Sequence, residues 1–154
     1  MTLQEEIDLR STEVKSDSYS MSIGELTNLY QDEEIDIHPE FQRFYRWTPL
    51  QKTKLIESIL LGIPLPPIFV SQRKDGIWDV VDGLQRLSTI FQFMGILLDE
   101  NKNRVEPLTL EETKYLPSLR DKRWDNPDNP DDSFTQAQKL FIKRSKLDVK
   151  IILK

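Results

Sequence analysis

The sequence predicts an α+β domain, a small mixed sheet with packed helices, and three observations carry that prediction. Apolar runs at Ile68-Phe69-Val70 and Trp78 to Val81 flank an Asp75-Gly76 pair. Two β-prone runs around Asp-Gly read as a hairpin, because both residues tolerate the positive φ of a tight turn. After Gly83 the period changes, and Leu84, Leu87, Ile90, Phe91 and Met94 form one stripe at helical spacing. Upstream, Leu55, Ile56, Ile59 and Leu60 make a second helical stripe, so the central unit reads helix, strand, hairpin, strand, helix.

Taken in order, Met1 to Ser20 is polar, charged and without periodicity, and residues 1–21 are expected to be a loosely ordered arm ahead of a domain over 22–154. Within the arm, Ser16 to Met21 suits an extended lead-in. Ser22 and Glu25 have capping-box spacing, followed by the apolar face Ile23, Leu26, Leu29. Ile35 and Ile37 alternate with polar neighbours as a short strand. Thr48-Pro49 opens a helix, with Thr as N-cap and Pro at the first helical position, and Gly62 closes it. The Pro-rich Ile63 to Pro67 cannot be helix interior and leads into the hairpin. Farther on, Val105 to Leu110 is expected as a short strand and Thr109 to Tyr115 as a helical turn. Thr135 to Ser145 is expected as a helix with Leu140 and Phe141 on one face, and Leu147 to Leu153 alternates as a strand.

Composition narrows the function classes. The chain has 154 residues, one domain's worth, with 38% hydrophobic and 31% charged residues. No apolar run approaches the ~20 residues of a membrane span, and no signal-peptide pattern opens the chain, so a cytoplasmic protein without membrane partners is expected. Zero cysteines exclude a disulfide framework and thiol chemistry, and a single histidine argues against a His-rich zinc site or a His-based triad. A net charge of −5 argues against broad nonspecific nucleic-acid binding. Two local basic groups stand out, Arg43, Arg46, Lys52, Lys54 and Lys139, Lys143, Arg144, Lys146, each readable as a solvated face or a binding patch. The acidic loop Asp125 to Asp132 lacks EF-hand spacing and its closing Glu.

The chemistry concentrates at the strand-to-helix corner Asp82-Gly83-Leu84-Gln85-Arg86. Asp82 suits an N-cap, and Gly83 permits a sharp turn that leaves its N–H uncovered. A helix N-terminus carries unpaired N–H groups and partial positive charge, a natural anion site, and a guanidinium one turn in can hold phosphate oxygens. Two readings stay open: Asp82 caps and Arg86 makes a surface salt bridge, or the group binds a phosphate ester with Asp82 facing a metal or water. A second candidate stretch, Phe41 to Trp47, interleaves aromatics with Gln42, Arg43 and Arg46, which suits either core packing or base stacking and phosphate contact. Glu57 lies on the flank of its helix stripe, either solvated or a second carboxylate for Asp82.

Asp82-Gly83-Leu84-Gln85-Arg86-Leu87-Ser88-Thr89 resembles the Asp-Gly-Gln-Gln-Arg-Leu-Thr-Thr signature of a bacterial family of ParB/sulfiredoxin-like domains. That family includes the nucleotide-hydrolysing half of GmrSD-type restriction enzymes and related phage-defence proteins. Ile37 to Trp47 and Leu55 to Ile68 are similar to two further blocks of the family, in the same order. The resemblance implies a ParB/sulfiredoxin-like fold and a nucleoside-triphosphate-binding, hydrolysing module that governs a nuclease partner or domain. It implies Asp82, Gln85 and Arg86 as catalytic residues, with Gln42, Arg43, Gly83 and Arg86 on the nucleotide, and Mg2+ at Asp82. DNA contact would come through the full-length protein or the nuclease partner. Leu84 stands where the signature has Gln, and Phe44 and Arg46 also depart from the family's usual residues. Family members continue past the equivalent of Leu147 to Leu153 into an Asn-containing motif that has no match here, so the chain is expected to be part of a longer protein. A nucleotide-responsive DNA-binding module and a non-catalytic interaction domain are the competing classes. No Walker sequence and no His-Asn-His nuclease pattern is present.

Overall fold

Ile68 and Val149 lie side by side at the centre of the sheet, both fully buried, and the fold is assembled around them. The structure is a computed structural model and describes residues 1–11, 18–40 and 46–152. The strands are β1 (Ser18–Ser22), β2 (Ile35–Asp36), β3 (Ile68–Gln72), β4 (Trp78–Asp82) and β5 (Lys146–Ile152). They form one sheet in the order β1-β5-β3-β4-β2. β1/β5 and β3/β4 are antiparallel, whereas β3/β5 and β2/β4 are parallel, so the sheet is mixed as the sequence predicts. Strict alternation along β5 buries Leu147, Val149 and Ile151 and exposes Asp148 and Lys150 between them, which sends one face of the sheet to the core.

The helices are α1 (Leu3–Ser11), α2 (Ile23–Gln31), α3 (Pro49–Leu60), α4 (Leu84–Phe93) and α5 (Gln136–Arg144). The Ser22/Glu25 capping box forms as its spacing predicts, and Thr48/Gln51 and Thr135/Gln138 make two more. Gly62, at φ +72, ends α3: its N–H reaches Ile59 O and Ile63 N–H reaches Ser58 O, a Schellman pair. α4 is the central helix. Its stripe, Leu87, Ile90 and Phe91, is fully buried, and Phe93 on another side meets the Phe134 and Trp124 rings edge-on at 4.9 and 5.6 Å.

Several expectations need correction. The arm contains a regular helix, α1, although its Leu3, Ile7 and Leu9 are exposed and pack no core. Ser18–Ser22 is the edge strand on β5, in keeping with the extended lead-in. Val105 to Leu110 forms no strand. It is pinned by single backbone bonds, Val105 N–H to Leu97 O and Leu110 N–H to Lys122 O, and by burial of Leu108 and Leu110. The segment at 109–115 is likewise irregular, and a 3₁₀ turn follows at Pro117–Leu119. In α5 the core contact is Ile142, while Phe141 is about half exposed, because the helix is rotated one position from the predicted face.

Candidate functional site

The corner between β4 and α4 is shaped by two local irregularities. Phe69 pairs with Asp82 and Val70 with Val80, so Val81 is an extra residue, a β-bulge that turns its own side chain outward. Bulges bend a strand end and re-aim the next side chain, here Asp82. Gly83 then takes φ +107, and a Cβ built on it would lie 2.3 Å from Ile68 Cδ1. Glycine is required here by conformation and by contact with the core at once.

Gly83, rather than Asp82, is the N-cap of α4, which corrects the expectation that Asp82 caps the helix. Asp82 is the last residue of β4, exposed, and among the described residues no side chain hydrogen-bonds the first turn of α4. The contrast with α2, α3 and α5, each closed by a capping box, is physical: the first-turn N–H groups of α4 are left for another acceptor.

A cavity of about 660 Å³ opens at this corner, lined by Asp82 to Arg86 with Val80, Val81, Ile37, His38 and Trp47. That volume falls within the roughly 300–1,000 Å³ of small-molecule sites. Arg86 donates through both Nη atoms to the carbonyls of Pro66 and Pro67, the second at 3.1 Å. It makes no ion pair among the described residues. Burial pulls the Arg86 pKa below its ordinary value, and the nearby Asp82 charge acts against that shift. A partly buried guanidinium held by neutral carbonyls keeps its positive charge at the cavity wall, with Asp82 as the nearby opposite charge. Gln85 Oε1 accepts the Trp47 backbone N–H at 3.0 Å, while its buried Nε2 has no partner among the described residues.

Asp82, Gly83, Gln85 and Arg86 are therefore brought together, as the sequence predicts. Gln42 and Arg43 lie outside the described residues. His38 and Trp47, which precede and follow them in the chain, both line the cavity. Glu57 does not serve Asp82: it is buried on α3, and its Oε2 accepts the Thr113 hydroxyl, whose oxygen in turn accepts Leu116 N–H at 3.0 Å. Its role is to anchor the loop after α4. In the second basic group, Lys139 and Lys143 pack on a ring, standing 5.7 and 5.9 Å from the Trp124 centroid, whereas Arg144 and Lys146 are exposed. In the acidic loop, Asn126 Oδ1 accepts the Asp128 and Asn129 N–H groups, and no set of three ligating side chains converges there among the described residues.

Sequence reasoning missed a network beside the cavity. The β2/β4 register places Asp36 next to Asp79, and His38 Nε2 meets Asp79 Oδ1 at 3.0 Å. Asp36, His38 and Asp79 could converge on a metal ion, but Arg73 already stands between the carboxylates. Its Nε donates to Asp79 Oδ2 at 2.9 Å, and its Nη2 donates to Asp36 Oδ2 at 2.7 Å and also to Asp79 Oδ1. We read the group as an ion-pair clamp. It fixes His38 at φ +51, with Asp36 Oδ1 accepting the His38 N–H at 2.8 Å, and so sets the path of the chain past the cavity. No short motif could have revealed it, because its members are 41 positions apart at the widest bond.

The clamp has a pH signature. Hydrogen bonding to Arg73 is the main cause that lowers the Asp79 pKa, with His38 adding to it and partial burial opposing it. A carboxylate with a depressed folded pKa stabilises fully above its unfolded value, near about 4, and that contribution is lost as pH falls through the folded value. Thermal melts of wild type and Asp79→Asn are expected to differ most at neutral pH and to converge as pH falls through the depressed folded value. A constant gap across that range contradicts the clamp.

Neither curated proteins nor solved structures gave a match. Among the described residues no helix is long and apolar enough to cross a membrane. Residues 26–152 match the family described as GmrSD restriction endonuclease, N-terminal domain. That span contains the bulge, the uncapped α4 corner and the whole cavity lining. The chain belongs to this family of restriction-enzyme N-terminal domains.

Proposed function

We propose that the chain binds a nucleoside triphosphate in the β4–α4 cavity and hydrolyses it, acting in the cytoplasm as the regulatory module of a restriction system whose nuclease lies in a partner or domain outside this chain. One observation carries the reading: among the described residues the first turn of α4 has no side-chain cap, and beside it Arg86 is a partly buried guanidinium without an ion pair. Phosphate oxygens satisfy both at once. The half-buried Trp47 and the apolar Ile37 and Leu84 offer a wall on which a base could stack.

Asp82 fits a Mg2+ role, since Mg2+ is commonly held by one or two carboxylates together with substrate phosphates. When bound, that ion would neutralise charge on the phosphate chain. The chain's own residues supply the rest. The α4 N–H groups and Arg86 fix the phosphates, Asp82 orients metal or water, and Gln85, locked by Trp47, presents its amide as a donor. Gln42 and Arg43 would close the site from the segment between His38 and Trp47.

Calorimetric titration with the four ribonucleoside triphosphates and Mg2+, paired with a phosphate-release assay, tests the reading. At least one triphosphate is expected to bind. Asp82→Ala is expected to retain binding within about tenfold while losing at least about a hundredfold in turnover, as removal of a group acting in the transition state does. Binding without turnover in wild type would replace hydrolysis by a nucleotide switch. No binding of any triphosphate would end the nucleotide reading.

A further inference from the structure

A second cavity, of about 280 Å³, shares Gln85 with the first and runs along the polar side of α4 between α3 and the loop at 97–105. Thr89, one turn beyond Gln85, lines it while only 1% exposed, and its hydroxyl has no partner among the described residues. The Gln85 amide nitrogen is the other buried polar side-chain atom without a partner among the described residues. Buried polar groups are almost always satisfied, and two orphans at i and i+4 on one helix, both in the wall of one cavity, point to a missing ligand.

The donors around the cavity say what kind. Lys52 Nζ donates to Gln92 Oε1 at 2.6 Å, and Gln92 Nε2 is tied back to Glu106 O at 2.9 Å, so the ammonium is aimed from a fixed mount. Neither Lys52 nor Arg46, also in the lining, makes an ion pair among the described residues. Of the three acids in the wall, Glu100 is exposed and the other two are engaged. Asp99 Oδ1 accepts the Asn101 and Asn103 N–H groups, and Glu40 meets His38. Burial lowers the Lys52 pKa, and the Arg46 charge lowers it further. Both effects are relieved by an anion.

We infer that this cavity is an oxyanion subsite that receives a phosphoryl group on Lys52, Thr89 and Gln85, separate from the Arg86 corner. The inference uses the Gln85 partition but does not depend on the first cavity binding a nucleotide. A phosphoryl group offers acceptor oxygens to all three donors, which a cation cannot do.

The test is a two-dimensional NMR titration of the full chain with inorganic phosphate and then pyrophosphate at constant ionic strength, following the Gln85 side-chain amide and the Thr89 backbone amide. Saturable shifts are expected. Lys52→Gln is expected to raise the dissociation constant by about tenfold or more, Lys52→Arg to restore most of it, and Arg86→Ala to leave it within about twofold. Thr89→Val, isosteric and free of the orphan hydroxyl, is expected to weaken binding severalfold in a protein that melts no lower than wild type. Absence of saturable shifts overturns the subsite and means that the cavity holds only water. Binding that survives Lys52→Gln but is lost in Arg86→Ala also overturns it, by placing the oxyanion in the first cavity, and in that case the nucleotide reading stands.

Discussion

Gly83→Ala is expected to destabilise the fold by about 2–4 kcal/mol, the sum of backbone strain and core overpacking. At φ +107 an L side chain is strained whatever the space around it, and here the space is also taken by Ile68. Ile68 is fully buried, so its δ methyl has little room to withdraw. Gly76→Ala is the control, because Gly76 has φ +93 with nothing within 4 Å of the added Cβ. It should cost only the strain term, about 1–2 kcal/mol. Urea denaturation of both variants measures the difference. Equal losses would show that the Ile68 contact yields easily and that glycine at the corner is required by conformation alone.

Arg86→Ala is expected to weaken triphosphate binding by about 10- to 100-fold, the range for hydrogen bonds to a charged group. Arg86→Lys is expected to recover little. The guanidinium uses two nitrogens to hold the Pro66 and Pro67 carbonyls, and an ammonium cannot keep that mount and still face a phosphate as a planar fork. Calorimetry on the two variants checks this, with far-ultraviolet circular dichroism to establish that both are folded. Unchanged affinity in Arg86→Ala would remove the cation from the site and leave the α4 terminus alone as the anion contact.

What was legible in the sequence was local. The Ser22/Glu25 box, the Thr48-Pro49 start, the Asp75-Gly76 hairpin and the α4 stripe are each written within a dozen residues, and all four appear in the structure. So is the corner itself, because Asp82, Gly83, Gln85 and Arg86 are neighbours in the chain. The assignment of Asp82 as N-cap failed because a bulge and a positive φ at Gly83 shift the helix start by one residue, and neither leaves a distinctive letter. The Arg73 clamp and the Lys52 mount were hidden for a different reason. Their members meet only through the β2/β4 register and the α3/α4 packing, which are long-range products of the fold. Glu57 shows the converse error: a carboxylate on a helix flank looked available, yet the loop at 113–116 folds over it. The stretch at 105–134 carries buried Leu108, Leu110, Leu119 and Phe134 without regular periodicity, so neither strand nor helix templates could place it.

The most direct test of a phosphate seated at the start of α4 is the backbone amide spectrum of the protein as a magnesium–nucleoside triphosphate is added. Hydrogen bonds from the uncapped first turn require the largest saturable shifts at Gly83, Leu84, Gln85 and Arg86, with Trp47 following through its bond to Gln85. Saturable binding whose shifts bypass those amides, or no saturable binding at all, would contradict a nucleotide site at this corner.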